Sequence, residues 1–206
     1  MKRCFRWASF WLLVLALGKV QATPTAEEVV MTTTDQVLAR IEAEQATLNA
    51  HPEQLYDLVN ELIIPHFDFV KISKYVLGRY WRTASVDQKK AFIAEFRTFL
   101  VRVYATTLFE YSGQTIKYLP VHNDPNSKTV IVKTEIEQPG AQSIPIDYRM
   151  YLKKDAWKVY DIAVSGISLV TTYRSSFASD INRDGLDTLI ANLAQRNSMA
   201  SAGGSP

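Results

Sequence analysis

Thr129-Val130-Ile131-Val132-Lys133-Thr134-Glu135-Ile136-Glu137 and, six residues on, Ile144-Pro145-Ile146-Asp147-Tyr148-Arg149-Met150-Tyr151-Leu152-Lys153 alternate side-chain character with a period of two. That period belongs to strands, whose successive side chains leave opposite faces. Val130, Val132, Thr134 and Ile136 read to one face, and Ile144, Ile146, Tyr148, Met150 and Leu152 repeat it in the second run. Gln138 to Ser143, with Pro139-Gly140, turns the chain between them. A slip of one residue would put Lys133 and Glu135 inside at a large desolvation cost, so the register is strongly specified. A shorter strand at Thr115 to Leu119 precedes the pair, and Trp157 to Val164 follows a Lys154-Asp155 turn. Short links of this kind join neighbouring antiparallel strands, giving a meander of about four.

Upstream the period is helical. From Thr34 to about Tyr111 apolar residues recur as Val37, Leu38, Ile41, Leu48, then Leu55, Leu58, Val59, Leu62 and Ile63, with Pro65 and Gly78 as punctuation. Asp68 is placed to cap a short helix, and Ser85 with Gln88 forms a capping box for the next. That helix, Val86 to Tyr111, carries Phe92, Ile93, Phe96, Phe99, Leu100, Val103 and Tyr104 over an arc of roughly 140° at ~100° per residue. Such an arc predicts burial on much of the circumference. Downstream, Ser168 is read as the cap of Leu169 to Ile181, and Asp184 as the cap of Gly185 to Gln195. Helices, then a sheet, then helices specify an α+β fold, with the helices packed on one face of a curved antiparallel sheet.

The two ends read differently from the middle. Lys2, Arg3 and Arg6 precede an apolar run from Trp7 to Leu17, and Val20-Gln21-Ala22 ends it in the manner of a secretory signal cut after Ala22. The run is shorter than the roughly 20 residues of a membrane span. The sole cysteine, Cys4, lies in front of it, so no lipoprotein cysteine follows. The leader holds four of the 23 basic residues and none of the 21 acidic ones, so removing it turns a formal charge of +2 into −2. A faintly acidic chain has no electrostatic footprint for nucleic acid. Without cysteine the fold has no disulfide, and its stability comes from a hydrophobic core. The domain is therefore expected over residues 23–197, and residues 198–206, small, polar and Gly-rich, as a disordered tail.

Chemistry-bearing residues are sparse. His51, His66 and His122 have no metal-ligand grouping, so no metal is expected, and His66 with Asp68 reads as a turn and cap. There is no G-x-S-x-G elbow. Asp161, among Val159, Tyr160, Ile162 and Ala163, is either a general base in a pocket or a partner of Arg174 on the following helix, and the structural ion pair is the favoured reading. Large apolar groups exceed what one sheet face needs, which is also how a chamber is lined.

Two segments resemble a known family. Val76-Leu77-Gly78-Arg79-Tyr80-Trp81 before a capped helix, and the ordered run Trp157-Lys158-Val159-Tyr160-Asp161-Ile162-Ala163-Val164-Ser165-Gly166-Ile167-Ser168-Leu169-Val170-Thr171-Thr172-Tyr173-Arg174, look like the MlaC family of periplasmic phospholipid-binding proteins, also called toluene-tolerance auxiliary proteins. The likeness runs from about Thr34 to Asn197 and includes the Asp184-Gly185-Leu186 turn. It implies an NTF2-like sheet with helices around it, enclosing an apolar cavity that holds acyl chains with the head group toward solvent. It also implies a monomeric periplasmic carrier without catalytic residues or cofactor. Its partners would be phospholipid as cargo, an outer-membrane lipoprotein complex, and an inner-membrane ABC transporter with its substrate-binding hexamer.

Two acyl chains bring on the order of 30 methylenes, roughly 24 kcal/mol of gross apolar transfer at ~0.8 kcal/mol each, so the cavity must be enclosed and large. On this reading its wall comprises Val132, Ile136, Ile146, Tyr148 and Met150 of the sheet facing Phe96, Leu100, Val103 and Tyr104 of the long helix. The competing readings are an adaptor of an ABC transporter with a filled core, and an enzyme on the same fold using Asp161.

Overall fold

The computed structural model describes residues 23–109, 115–121, 127–137 and 140–202. The chain runs α1 (Ala26–Ala50), α2 (Gln54–Leu62), a 3-10 turn (Ile64–His66), α3 (Phe69–Leu77), α4 (Tyr80–Thr83) and α5 (Val86–Phe109). Then come β1 (Thr115–Tyr118), β2 (Thr129–Glu137), β3 (Ile144–Lys153), β4 (Ala156–Val164), β5 (Ile167–Ser168), α6 (Leu169–Asp184) and α7 (Leu186–Ala202). Among the described residues the strands form one antiparallel sheet in the order β1-β2-β3-β4-β5. The α+β class is as expected.

Side-chain chemistry sets most of the helix starts. The Asp68 carboxylate accepts from the Lys71 amide at 3.0 Å, and Ser85 and Gln88 close their reciprocal box at 3.0 and 2.9 Å. The Ser168 hydroxyl accepts from the Thr171 amide at 3.1 Å. Each cap satisfies an amide that the helix leaves without an internal partner. Two boundaries differ from expectation. Helix α1 begins at Ala26 rather than near Thr34, under a Thr25–Glu28 capping box. Asp184 does not cap α7: it is the last residue of α6, where Gly185 supplies the positive φ of 85° that ends the helix. Its carboxylate instead accepts from Arg183 Nε at 2.7 Å.

Between β4 and β5, Ser165 and Gly166 take φ values of 50° and 79°, a tight reversal that pairs Ile167 with Val164 and Ser168 with Ala163. Residues 198–202 are helical, against the expected disorder from Ser198 onward. The leader and its cut at Ala22, Tyr111, His122, Pro139 and residues 203–206 lie outside the described residues.

Three apolar clusters hold these elements together. The first joins Phe92 and Phe96 of α5 to α3, α6 and α7, with Phe96 set edge-on to Phe177 at 5.4 Å and to Tyr173 at 5.3 Å. The second seats Val101 and Ala105 of α5 among α1 and α2. The third places Ala26 and Val30 of α1 on Val130, Val132, Met150 and Val159 of the sheet. Each large aliphatic or aromatic side chain so buried contributes about 1.5–3 kcal/mol. No described helix is long and apolar enough to cross a membrane.

Candidate functional site

Register decides which side chains share the inner face. Val130 stands opposite Met150, Val132 opposite Tyr148, Thr134 opposite Ile146 and Ile136 opposite Ile144. Directly opposed residues point the same way, so Val132, Ile136, Ile146, Tyr148 and Met150 lie on one face, as their alternation predicts. Val132 and Met150 are 0% exposed beneath α1, and Val130 and Thr134 are also buried, whereas Tyr148, Ile146, Ile144 and Ile136 are only half-buried. Burial also pushes the Tyr148 phenol upward from its ordinary pKa.

The four residues read onto the facing helix are placed differently. Phe96 is buried and Leu100 half-buried, but both pack among α3, α6 and α7 rather than with the sheet residues. Val103 and Tyr104 are 42% and 37% exposed. The close facing of α5 against Val132 and Met150 is thus not observed. The apolar sides of α5 are taken by other helices, and α1 with Phe67 covers the buried half of the sheet. The hydroxyls of Tyr104 and Tyr173 meet at 3.3 Å, Phe99 stacks edge-on to Tyr173 at 5.7 Å, and burial followed by the Tyr104 hydrogen bond raises the pKa of Tyr173. Elsewhere a groove of about 510 Å³ opens among Ile64, Phe67, Asp68, Ile93, Arg97 and Lys158, bordered by none of the expected wall residues.

Asp161 and Arg174 are not partners. A register shift beside Met150 sets Met150 opposite Val159 but Arg149 opposite Asp161, and this bulge turns Asp161 away from the face of Met150. Its oxygens accept from the Ser168 hydroxyl at 2.7 Å and the Val170 amide at 3.1 Å, and Arg149 Nη1 lies 3.6 Å away. The carboxylate caps α6 with its charge matched across the strands. Arg174 sits five residues into α6, ~7.5 Å along the axis from its start. Its guanidinium instead lies on Gly78: a Cβ added there would meet Arg174 Nε at 3.1 Å, and Gly78 itself has φ 52°. The two motifs that carry the family resemblance therefore touch.

Asp68 does more than cap. Besides the Lys71 amide it accepts from Lys153 Nζ at 2.7 Å and from the Tyr151 hydroxyl. Burial opposes its charge, but those bonds from Lys153, Tyr151 and Lys71 outweigh burial and hold its pKa at about 2. Among the described residues no group of three or more His, Cys, Asp or Glu could hold a metal ion.

The profile of a family described as MlaC protein matches residues 31–195. The chain belongs to the MlaC family. The intermembrane phospholipid transport system binding protein MlaC of Haemophilus influenzae is 24% identical over 199 residues, 95% of this chain and 93% of that protein. Toluene tolerance protein ttg2D of Pseudomonas putida is 29% identical over 167 residues, 81% of this chain and 77% of its own length. Among solved structures, a phospholipid-binding protein from Ralstonia solanacearum in complex with a phospholipid matches with a TM-score of 0.79 at 31% identity, over 86% of this chain and 99% of that one. This MlaC-family chain thus shares its fold with a protein that holds a phospholipid.

Proposed function

We propose that this chain is a periplasmic carrier that holds glycerophospholipid and shuttles it between an outer-membrane lipoprotein complex and an inner-membrane ABC transporter with its substrate-binding hexamer, maintaining outer-membrane lipid asymmetry. It acts as a monomer after removal of residues 1–22, over a domain of residues 23–197. The observation that carries this reading is the inner sheet face, which passes from fully buried at Val132 and Met150 to half-buried at Ile136 and Ile146. It does so in a fold shared with the Ralstonia solanacearum protein that is in complex with a phospholipid. Acyl chains would lie along that half-buried stretch, with Val103, Tyr104 and Tyr173 at the opening. An apolar face left half-wet is unfavourable on its own, and burying hydrocarbon against it recovers ~25 cal/mol per Å².

The reaction is transfer without chemistry. Asp161 supports this, because its carboxylate is engaged by Ser168, Val170 and Arg149 rather than available as a base. Purified protein should take diacyl phospholipid from donor vesicles and deliver it intact to acceptor vesicles. Release of lysophospholipid would replace the carrier by an esterase, and failure to take up lipid would leave an adaptor. The exported form should begin at Thr23, and an intact mass that retains the leader would refute the signal reading.

A further inference from the structure

The Arg79-Tyr80-Trp81-Arg82 turn and the start of α5 form a corner that the lipid site does not use. Arg79 Nη2 donates to the Tyr80 hydroxyl at 2.8 Å and to Asn182 Oδ1 at 3.1 Å, with its guanidinium 4.9 Å from the Tyr80 ring centre. Arg174 rests on the Gly78 backbone, where a β-carbon would meet its guanidinium at 3.1 to 3.3 Å. Lys89 Nζ lies 5.5 Å from the Trp81 ring centre. These three cations are positioned by neutral groups. By contrast, Arg40, Arg149 and Arg183 are matched to carboxylates. Among the described residues none of Arg79, Arg82, Lys89, Lys90 and Arg174 forms an ion pair.

Two acids stand near the corner, Asp87 in the first turn of α5 and Asp187, whose carboxylate accepts from the Gln88 side-chain amide at 2.8 Å; neither pairs with these cations, and the five cations outnumber them. Between Arg79 and Lys90 four cations stand against Asp87 alone, on a chain that is net acidic once its leader is removed. At the start of α5, Val86 is 64% exposed, and Trp81 is half-buried.

We propose that this corner is a docking surface for an anionic phospholipid bilayer. The planar guanidinium fork matches phosphate oxygens, and holding it by neutral partners orders it without neutralising it. Tyr80 and Trp81 are half-buried, packed inward on the Phe92–Phe96 cluster with Arg79 and Lys89 beside their rings; amphipathic aromatics of this kind sit at head-group level, and a bilayer would cover the exposed Val86. An acidic protein surface could match the arginines, but the aromatic pair and the exposed Val86 set among them favour the bilayer. The proposal is independent of what the inner sheet face holds.

The test is co-sedimentation of the exported chain with vesicles of phosphatidylcholine alone, or with one part phosphatidylglycerol to two of phosphatidylcholine. The wild type should bind only the anionic vesicles and release them as salt is raised. Arg79→Gln with Arg82→Gln should weaken that binding roughly 25-fold, at about fivefold per neutralised side chain, while melting temperature and co-purified phospholipid stay unchanged. Lys89→Gln with Lys90→Gln should act in the same direction and decides the matter if the arginine variant misfolds. Wild type indifferent to phosphatidylglycerol, or variants binding as well as wild type, would overturn the proposal. Binding of an acidic protein by a wild type that ignores both vesicles would do the same.

Discussion

Asp68 joins two elements through one carboxylate: the start of α3 and, by way of Tyr151 and Lys153, β3. Its pKa is lowered from 3.8 to about 2 in the folded chain, so its contribution is fully present above about pH 4 and is lost as pH falls through about 2. Asp68→Asn should therefore cost about 2 kcal/mol in urea unfolding at neutral pH, and the gap to wild type should close across that acid window. Asp161 gives a second contrast. Asp161→Ala strands Arg149 and frees the Ser168 and Val170 donors, so a loss of about 3 kcal/mol is expected, whereas Arg174→Ala should cost under about 1 kcal/mol. Equal losses in thermal melts would restore an Asp161–Arg174 pair. Asp161 was legible as a buried carboxylate, but its partner was not. The bulge that aligns it with Arg149 has no mark in the sequence, since Val159, Asp161 and Ala163 remain buried alternately on either side of it.

At the scale of elements, the alternation of Val130 to Ile136 against Ile144 to Leu152 was enough to read the sheet register, because a slip would bury Lys133 and Glu135. What covers that sheet was less legible. Helix α5 is apolar on more than one side, and the sequence does not say which side meets the sheet. In the fold its neighbours are the other helices, α1, α2, α3, α6 and α7. The covering turn of α1 was missed because Ala26, Val29 and Val30 make a faint apolar pattern, although the Thr25–Glu28 capping box was there to be read. Glutamate substitutions on one face should now separate. Val132→Glu places a carboxylate where no surface reaches water and should unfold the protein. Ile146→Glu, on the half-buried stretch, should fold with a modestly lowered melting temperature and lose most bound phospholipid. If both variants unfold alike, the face is uniformly packed core and the acyl chains lie elsewhere.

Across the whole molecule, α1 and Phe67 tie the helix clusters to the sheet, and Ile136 and Ile146 are left half-buried while Val103 and Tyr104 are exposed. A protein that must hold ~24 kcal/mol of hydrocarbon transfer outside a bilayer has a use for such partly wet apolar surface. Native mass spectrometry of the exported protein, purified without added lipid, tests that claim most directly. The account predicts a main species heavier than the bare chain by the mass of intact diacyl glycerophospholipid, released on activation. A spectrum holding only the bare chain, from protein shown to be folded, would contradict it.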